Sequence, residues 1–203
     1  MRSAAAQLMG WIGTQALTAH QVALQIAAVM FMVPFGIGMA ATVRVGHAAG
    51  RGDAVSTRRA GFSALALGIA FMALMTLVVI ATRHALPRLF LGWDAPDPQT
   101  VALTASLLLL GASFFIMDGA QSIAAGALRG LNDTRLPLVF AAVSFWLIGF
   151  TGCWVFGFTL GLGAYGIWIG LSLGIAVYAV LLGWRFHLLT ARQYLPAMVA
   201  APS

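Results

Sequence analysis

The chain is 203 residues long, 61% hydrophobic and only 8% charged, with a mean hydropathy of +0.95. Soluble domains carry about 25% charged residues, so this composition excludes a soluble globular domain and points to an integral membrane protein. The formal charge of +6 comes from 11 basic residues, all arginine, set singly or in small groups between apolar runs. That spacing excludes a nucleic-acid face and fits loops flanking membrane helices.

Six apolar segments are expected to be helices, at about 3–17, 19–43, 60–81, 101–128, 136–158 and 164–182. The fold class is therefore all-α, a polytopic membrane bundle of five full spans and one partial helix over residues 1–190, with a tail at 191–203. Helices are favoured over a barrel because the runs are continuous, without two-residue alternation. The run from Ser3 to Leu17 is too short to cross a hydrocarbon core of about 30 Å. Met1-Arg2 before an Ala-rich run looks like a signal peptide, but the next apolar helix follows almost at once. The run is read as part of a spanning helix, and the chain as beginning inside it.

The second segment carries His20, Gln21 and Gln25 near its outer end. Gln21 and Gln25 lie one turn apart and either line a substrate path or hydrogen-bond between helices; their spacing leaves both readings open. His20 has no ligand partner at i+3 or i+4 and is read as an interfacial residue rather than a metal ligand. Pro34, followed by Gly36 and Gly38, predicts a kink, either static or a hinge. Gly46, Gly50 and Gly52 read as a helix end with glycine caps, Arg44 snorkelling to the headgroups. No Gly-Lys-Ser/Thr follows them, so they make no phosphate loop. The loop from His84 to Thr100, with Pro87, Trp93, Pro96 and Pro98, fits an interfacial turn.

The fourth segment holds one acid, Asp118, with no basic residue within ten positions. A charge at the bilayer centre costs at least about 2.5 kcal/mol, so an acid there needs a reason. Asp118, Gln121, Ser122 and Ala125 fall at i, i+3, i+4 and i+7, on one helical face. The functional reading is a proton or cation site facing a watery cavity. The bland one is a protonated acid hydrogen-bonded to its neighbours, and intramembrane acids favour the first. Beyond it, Asp133 or Thr134 is expected to cap the fifth helix, whose first turn tolerates Pro137. Lone Cys153 makes no disulfide. No nucleophile–base pair appears, so no enzyme activity and no cofactor are expected.

Arginine counts by connection read 4, 2, 2, 0 and 2 along the chain. The positive-inside rule then places the second–third loop, the fourth–fifth loop and the C-terminus in the cytoplasm.

Several motifs together resemble the MATE multidrug and toxin extrusion transporters. Ala19-His20-Gln21-Val22-Ala23, Pro34 and Arg44-Val45-Gly46-His47-Ala48-Ala49-Gly50-Arg51-Gly52-Asp53 are similar to that family's seventh-to-eighth-helix region. Met117-Asp118-Gly119-Ala120-Gln121, Ala125-Gly126-Ala127-Leu128-Arg129-Gly130 and Asp133-Thr134 resemble its tenth helix and following loop, and Gly163-Ala164-Tyr165-Gly166-Ile167-Trp168 the start of its last helix. The resemblance implies twelve helices in two lobes and export of cationic, often aromatic compounds in exchange for H⁺ or Na⁺. It implies a bacterial inner-membrane location, with this chain as the C-terminal lobe and an N-terminal lobe as its missing partner. Asp118 would be the coupling-ion residue, and Gln21, Gln25, Phe114, Gln121 and Ser122 would line the cavity. The family's seventh-helix acid would lie upstream of Met1, and Phe114 stands where some members carry a tyrosine, which weakens a Na⁺ site of that kind. A lipid-linked precursor flippase of the wider superfamily would need cationic residues in its cavity, and no Arg lies centrally in any segment.

Overall fold

The computed structural model describes residues 2–91 and 98–191. Seven helices carry these residues: α1 (Arg2–Ile12), α2 (Thr14–Gly50), α3 (Ala54–Thr82), the short α4 (Leu86–Leu91), α5 (Pro98–Gly130), α6 (Arg135–Thr159) and α7 (Gly163–Thr190). Four are long and apolar enough to cross a membrane, and α5 makes a fifth when its two halves, inclined by 50°, are counted as one span. No strand occurs among the described residues. The architecture is the all-α bundle expected from the apolar runs.

The helices outrun those runs. α2 has 37 residues, about 55 Å at 1.5 Å per residue, so it extends well beyond a hydrocarbon core of about 30 Å. The first break falls at Gly13 (φ 153°), a conformation open to glycine, and not near Leu17. α2 then runs through Arg44 to Gly50, because a charged side chain ends an apolar run without ending a helix. Arg51 follows at a right-handed φ/ψ, and Gly52 (φ 70°) makes the left-handed turn. Gly46 is no cap: it lies inside α2 against Gly130.

α3 starts six residues before the expected Ala60, where the Asp53 side chain accepts the Ser56 N–H at 2.9 Å. Hydrogen bonds from Ser56, and to a lesser degree the Arg51 charge, hold the Asp53 carboxyl below its ordinary value of 3.8. α6 starts after Thr134, whose side chain makes no cap hydrogen bond. Asp133 does not cap it either; it accepts Arg185 Nε at 2.8 Å, a bridge from the α5–α6 turn to α7. α7 runs on to Thr190, eight residues past the expected end, with Arg185 inside it. Two stretches of α6, Val143–Phe150 and Val155–Thr159, are π-helical. Trp93, Pro96, Asp94, Asp97 and Arg192 lie outside the described residues.

α5 is the hub, packing on α2, α3 and α7, while α6 lies along α7 and α1 touches α2 and α7. Lipid is as apolar as leucine, so close backbone approach and hydrogen bonds hold such helices together. Two glycine seams do this. Along α2–α5, a Cβ on Gly126 would overlap the Gly38 carbonyl, and one on Gly130 would come within 2.6 Å of the Thr42 carbonyl oxygen. The Thr42 hydroxyl donates to Gly126 O at 2.8 Å across the same seam. Along α6–α7, Gly166, Gly170 and Gly174 lie one turn apart, and a Cβ on any of them would overlap α6 backbone.

Candidate functional site

Asp118 lies on α5 below the bend, 3% exposed, and its Oδ1 accepts Gln121 Nε2 at 3.1 Å. The i, i+3 spacing read from the sequence places these two groups on one face, as helical periodicity requires. Ser122 is buried too. Its carbonyl oxygen lies 3.1 Å from where a Gly38 Cβ would stand, so the turn after Asp118 rests on the α2 backbone.

The neighbour of Asp118 fixes its level in the bundle. A Cβ on Gly119 would meet Met72 of α3 at 2.6 Å and the ring of Pro34 at 3.5 Å. Pro34 is therefore buried in the α2–α5 seam against Gly119, the residue after the acid, and its missing N–H removes one rung of the α2 ladder there. Gly38 shares the seam, whereas Gly36 has open space around it. α2 remains helical across all three residues.

The other sequence-selected residues separate into two environments. Phe114 is buried one turn before the acid, its ring centroid 5.6 Å from Trp168 and 5.8 Å from Phe115. Gln21 and Gln25 are exposed on a stripe of α2 that continues through Val29, Met32, Gly36, Met39 and Val43. Their spacing of about 3.6 residues makes this one continuous face turned away from α5. Among the described residues no group of three or more His, Cys, Asp or Glu could hold a metal ion.

One polar cluster escaped the sequence reading. His20, expected at the interface, is fully buried, its ring 5.9 Å from Trp168 in an edge-on contact. Among the described residues, neither of its nitrogens nor the Trp168 indole N–H has a hydrogen-bond partner. The small residues around it (Ala16, Ala19 and Ala23 on α2) were the available signal for burial.

A family model described as MatE matches residues 4–155. The chain is similar to the probable multidrug resistance protein NorM of Rhodopseudomonas palustris, 63% identical over 186 residues, covering 92% of this chain and 39% of that protein. It is 57% identical to the probable NorM of Bradyrhizobium diazoefficiens over 94% of this chain and 41% of that one. With the multidrug resistance protein NorM of Burkholderia vietnamiensis the identity is 52%, over 96% and 41%. The chain thus spans about two fifths of the length of these relatives. Among solved structures, the eukaryotic MATE transporter AtDTX14 superposes with a TM-score of 0.81 at 22% identity, over 90% of this chain and 40% of that one. An inward-facing multidrug resistance MATE transporter of the MOP superfamily gives 0.75 at 15% identity, over 100% and 48%. These two carry the fold alone.

Proposed function

Because the chain belongs to the MatE family, we propose that it is the C-terminal lobe of a cation-coupled antiporter that exports drugs or organic cations, with Asp118 as its coupling-ion residue. The observation that carries this reading is the burial of a single acid inside a span, hydrogen-bonded to Gln121, on a helix whose adjoining residues Gly119 and Ser122 pack against Pro34 and Gly38 of α2. A buried carboxylate has few ways to recover its lost hydration, and taking up a proton or a cation is one of them. The coupling ion is H⁺ or Na⁺.

In this reading the charge of Asp118 decides how closely α5 holds α2. The ionised acid draws a cation to the turn next to the proline, and filling or emptying the site shifts the balance between two packings of the seam. The exposed α2 stripe with Gln21 and Gln25 faces the substrate path shared with an N-terminal lobe, amides offering hydrogen bonds and Met32 and Phe35 apolar surface to aromatic cations. Arg44, Arg51, Arg58 and Arg59 then mark the cytoplasmic end of the bacterial inner membrane, and the C-terminus lies on that side. The flippase reading is not favoured, since those arginines cluster at one end of the spans.

The test is Asp118→Asn in the intact transporter, assayed for gradient-driven accumulation of a fluorescent aromatic cation in inverted membrane vesicles, the direction that corresponds to export from the cell. Export is expected to be lost while the protein stays folded and in the membrane. Wild-type export by the variant would refute the assignment.

A further inference from the structure

At the arginine-rich end, a cleft of about 650 Å³ opens between α2 and α3. The arginine-rich end of its lining holds Arg44, His47, Arg51, Ser56 and Arg59. No salt bridge among the described residues holds Arg44, Arg51 or Arg59, whereas Arg185 and Arg58 are engaged elsewhere. Arg185 is bound to Asp133, and Arg58 lies 5.2 Å over the Phe62 ring and 3.2 Å from His187 Nδ1. Asp53, the nearest acid in sequence, is already engaged by the Ser56 N–H as the cap of α3. Three guanidinium groups thus line one cavity: Arg51 shares the charge of Asp53, and Arg44 and Arg59 have no salt bridge among the described residues.

The far end of the cleft differs. Ile37, Ala40, Ala64 and Leu67 line it farther from the arginines, with Ser63 beside them. From Arg51 back to Ile37 is fourteen residues of α2, about 21 Å along the helix, so the cleft passes from a charged mouth into the depth of the span. Guanidinium forks match phosphate oxygens, and an apolar floor at membrane depth matches an acyl chain. A free phosphate would use the mouth and leave the floor empty.

We infer that this cleft binds one anionic phospholipid, its phosphate held by Arg44, Arg51 and Arg59 and an acyl chain lying on Ile37 and Leu67. The site is separate from Asp118, and the inference stands whichever ion that residue takes. Bound lipid would tie the α2 end to the α3 start across the Gly50–Asp53 turn.

The experiment titrates the full-length protein, purified in detergent, with phosphatidylglycerol, phosphatidylcholine or inorganic phosphate, and reads bound lipid by native mass spectrometry. Phosphatidylglycerol is expected to bind in preference to phosphatidylcholine. R44Q/R59Q should weaken it by about thirtyfold, the weight of two interfacial arginines. R44K/R59K should keep part of the affinity, and R135Q, outside the cleft, all of it. Ala64→Phe, which fills the apolar floor and leaves every arginine in place, should also lose the lipid, and it carries the test if the double variant does not fold. Equal binding of the two lipids by the wild type would overturn the inference, as would retention of phosphatidylglycerol by both R44Q/R59Q and Ala64→Phe. Displacement of the lipid by an equal concentration of inorganic phosphate would contradict a lipid as the occupant.

Discussion

Gly126→Ala tests whether the seam that seats Asp118 is held by backbone contact. The added Cβ would stand 2.8 Å from the Gly38 carbonyl carbon and 3.0 Å from its Cα, with the carbonyl oxygen nearer still. Both atoms are backbone, so no rotamer change relieves the overlap. Restoring an ordinary 3.4 Å to the carbonyl carbon alone requires α2 and α5 to part by at least about 0.6 Å at this crossing, the difference of 3.4 and 2.8. The Thr42 hydroxyl bond to Gly126 O, 2.8 Å long, would stretch with it. Overpacking of this kind costs about 1–3 kcal/mol, and an interhelical hydrogen bond about 0.6 kcal/mol more. The sum, roughly 2–4 kcal/mol, lowers the melting midpoint of a chain this size by roughly 4–16 °C. The assay is thermal unfolding in detergent followed by tryptophan fluorescence. Gly183→Ala is the control, because its Cβ would meet nothing within 4 Å and a helical alanine is favoured over glycine by up to about 1 kcal/mol. If Gly126→Ala melts like the wild type, or like Gly183→Ala, the seam does not hold the bundle as argued.

Three further outcomes follow from other parts of the structure. His20→Leu should raise stability by about 1 kcal/mol or more in the same melting assay, since it removes two buried nitrogens without partners; a destabilised variant would mean that the imidazole has a partner. Asp133→Ala should leave Arg185 without its carboxylate and speed hydrogen exchange in the last turns of α7; unchanged exchange there would show that the 2.8 Å bridge contributes nothing. The depressed folded value of the Asp53 carboxyl means its capping contribution is full above its unfolded value near 3.8 and fades as pH falls through the lower folded one. Exchange protection in the first turn of α3 should therefore weaken only at pH below about 4 in the wild type and be absent at every pH in Asp53→Ala; protection that is the same in both chains would remove the cap from the account.

Much of the bundle is legible in the sequence because lipid imposes a simple rule: spans must be long, apolar and helical. The rule locates cores of spans and is blind to their ends, which is why Arg44 and Arg185 lie inside helices. It also says nothing of which side chains meet. Gly119, Gly126 and Gly130 are visible as small residues on the Asp118 helix, but their partners Pro34, Gly38 and Thr42 are some eighty residues away. The face shared by Asp118 and Gln121 could be read, since three-residue spacing on a helix is local. The burial of His20 is signalled only by the alanines around it on α2, because Trp168, which covers it, arrives only with the last helix. The π-helical turns of α6 have no plain sequence signal beyond their glycines.

The central claim is that the Asp118 carboxyl changes its charge or its cation during the transport cycle. Infrared difference spectroscopy on the intact transporter, with substrate added at a fixed H⁺ or Na⁺ concentration, observes that group directly. The account predicts a carboxyl band that responds to substrate in the wild type and is missing from Asp118→Asn. A wild-type spectrum with no substrate-dependent carboxyl change, or one that Asp118→Asn reproduces, would contradict it.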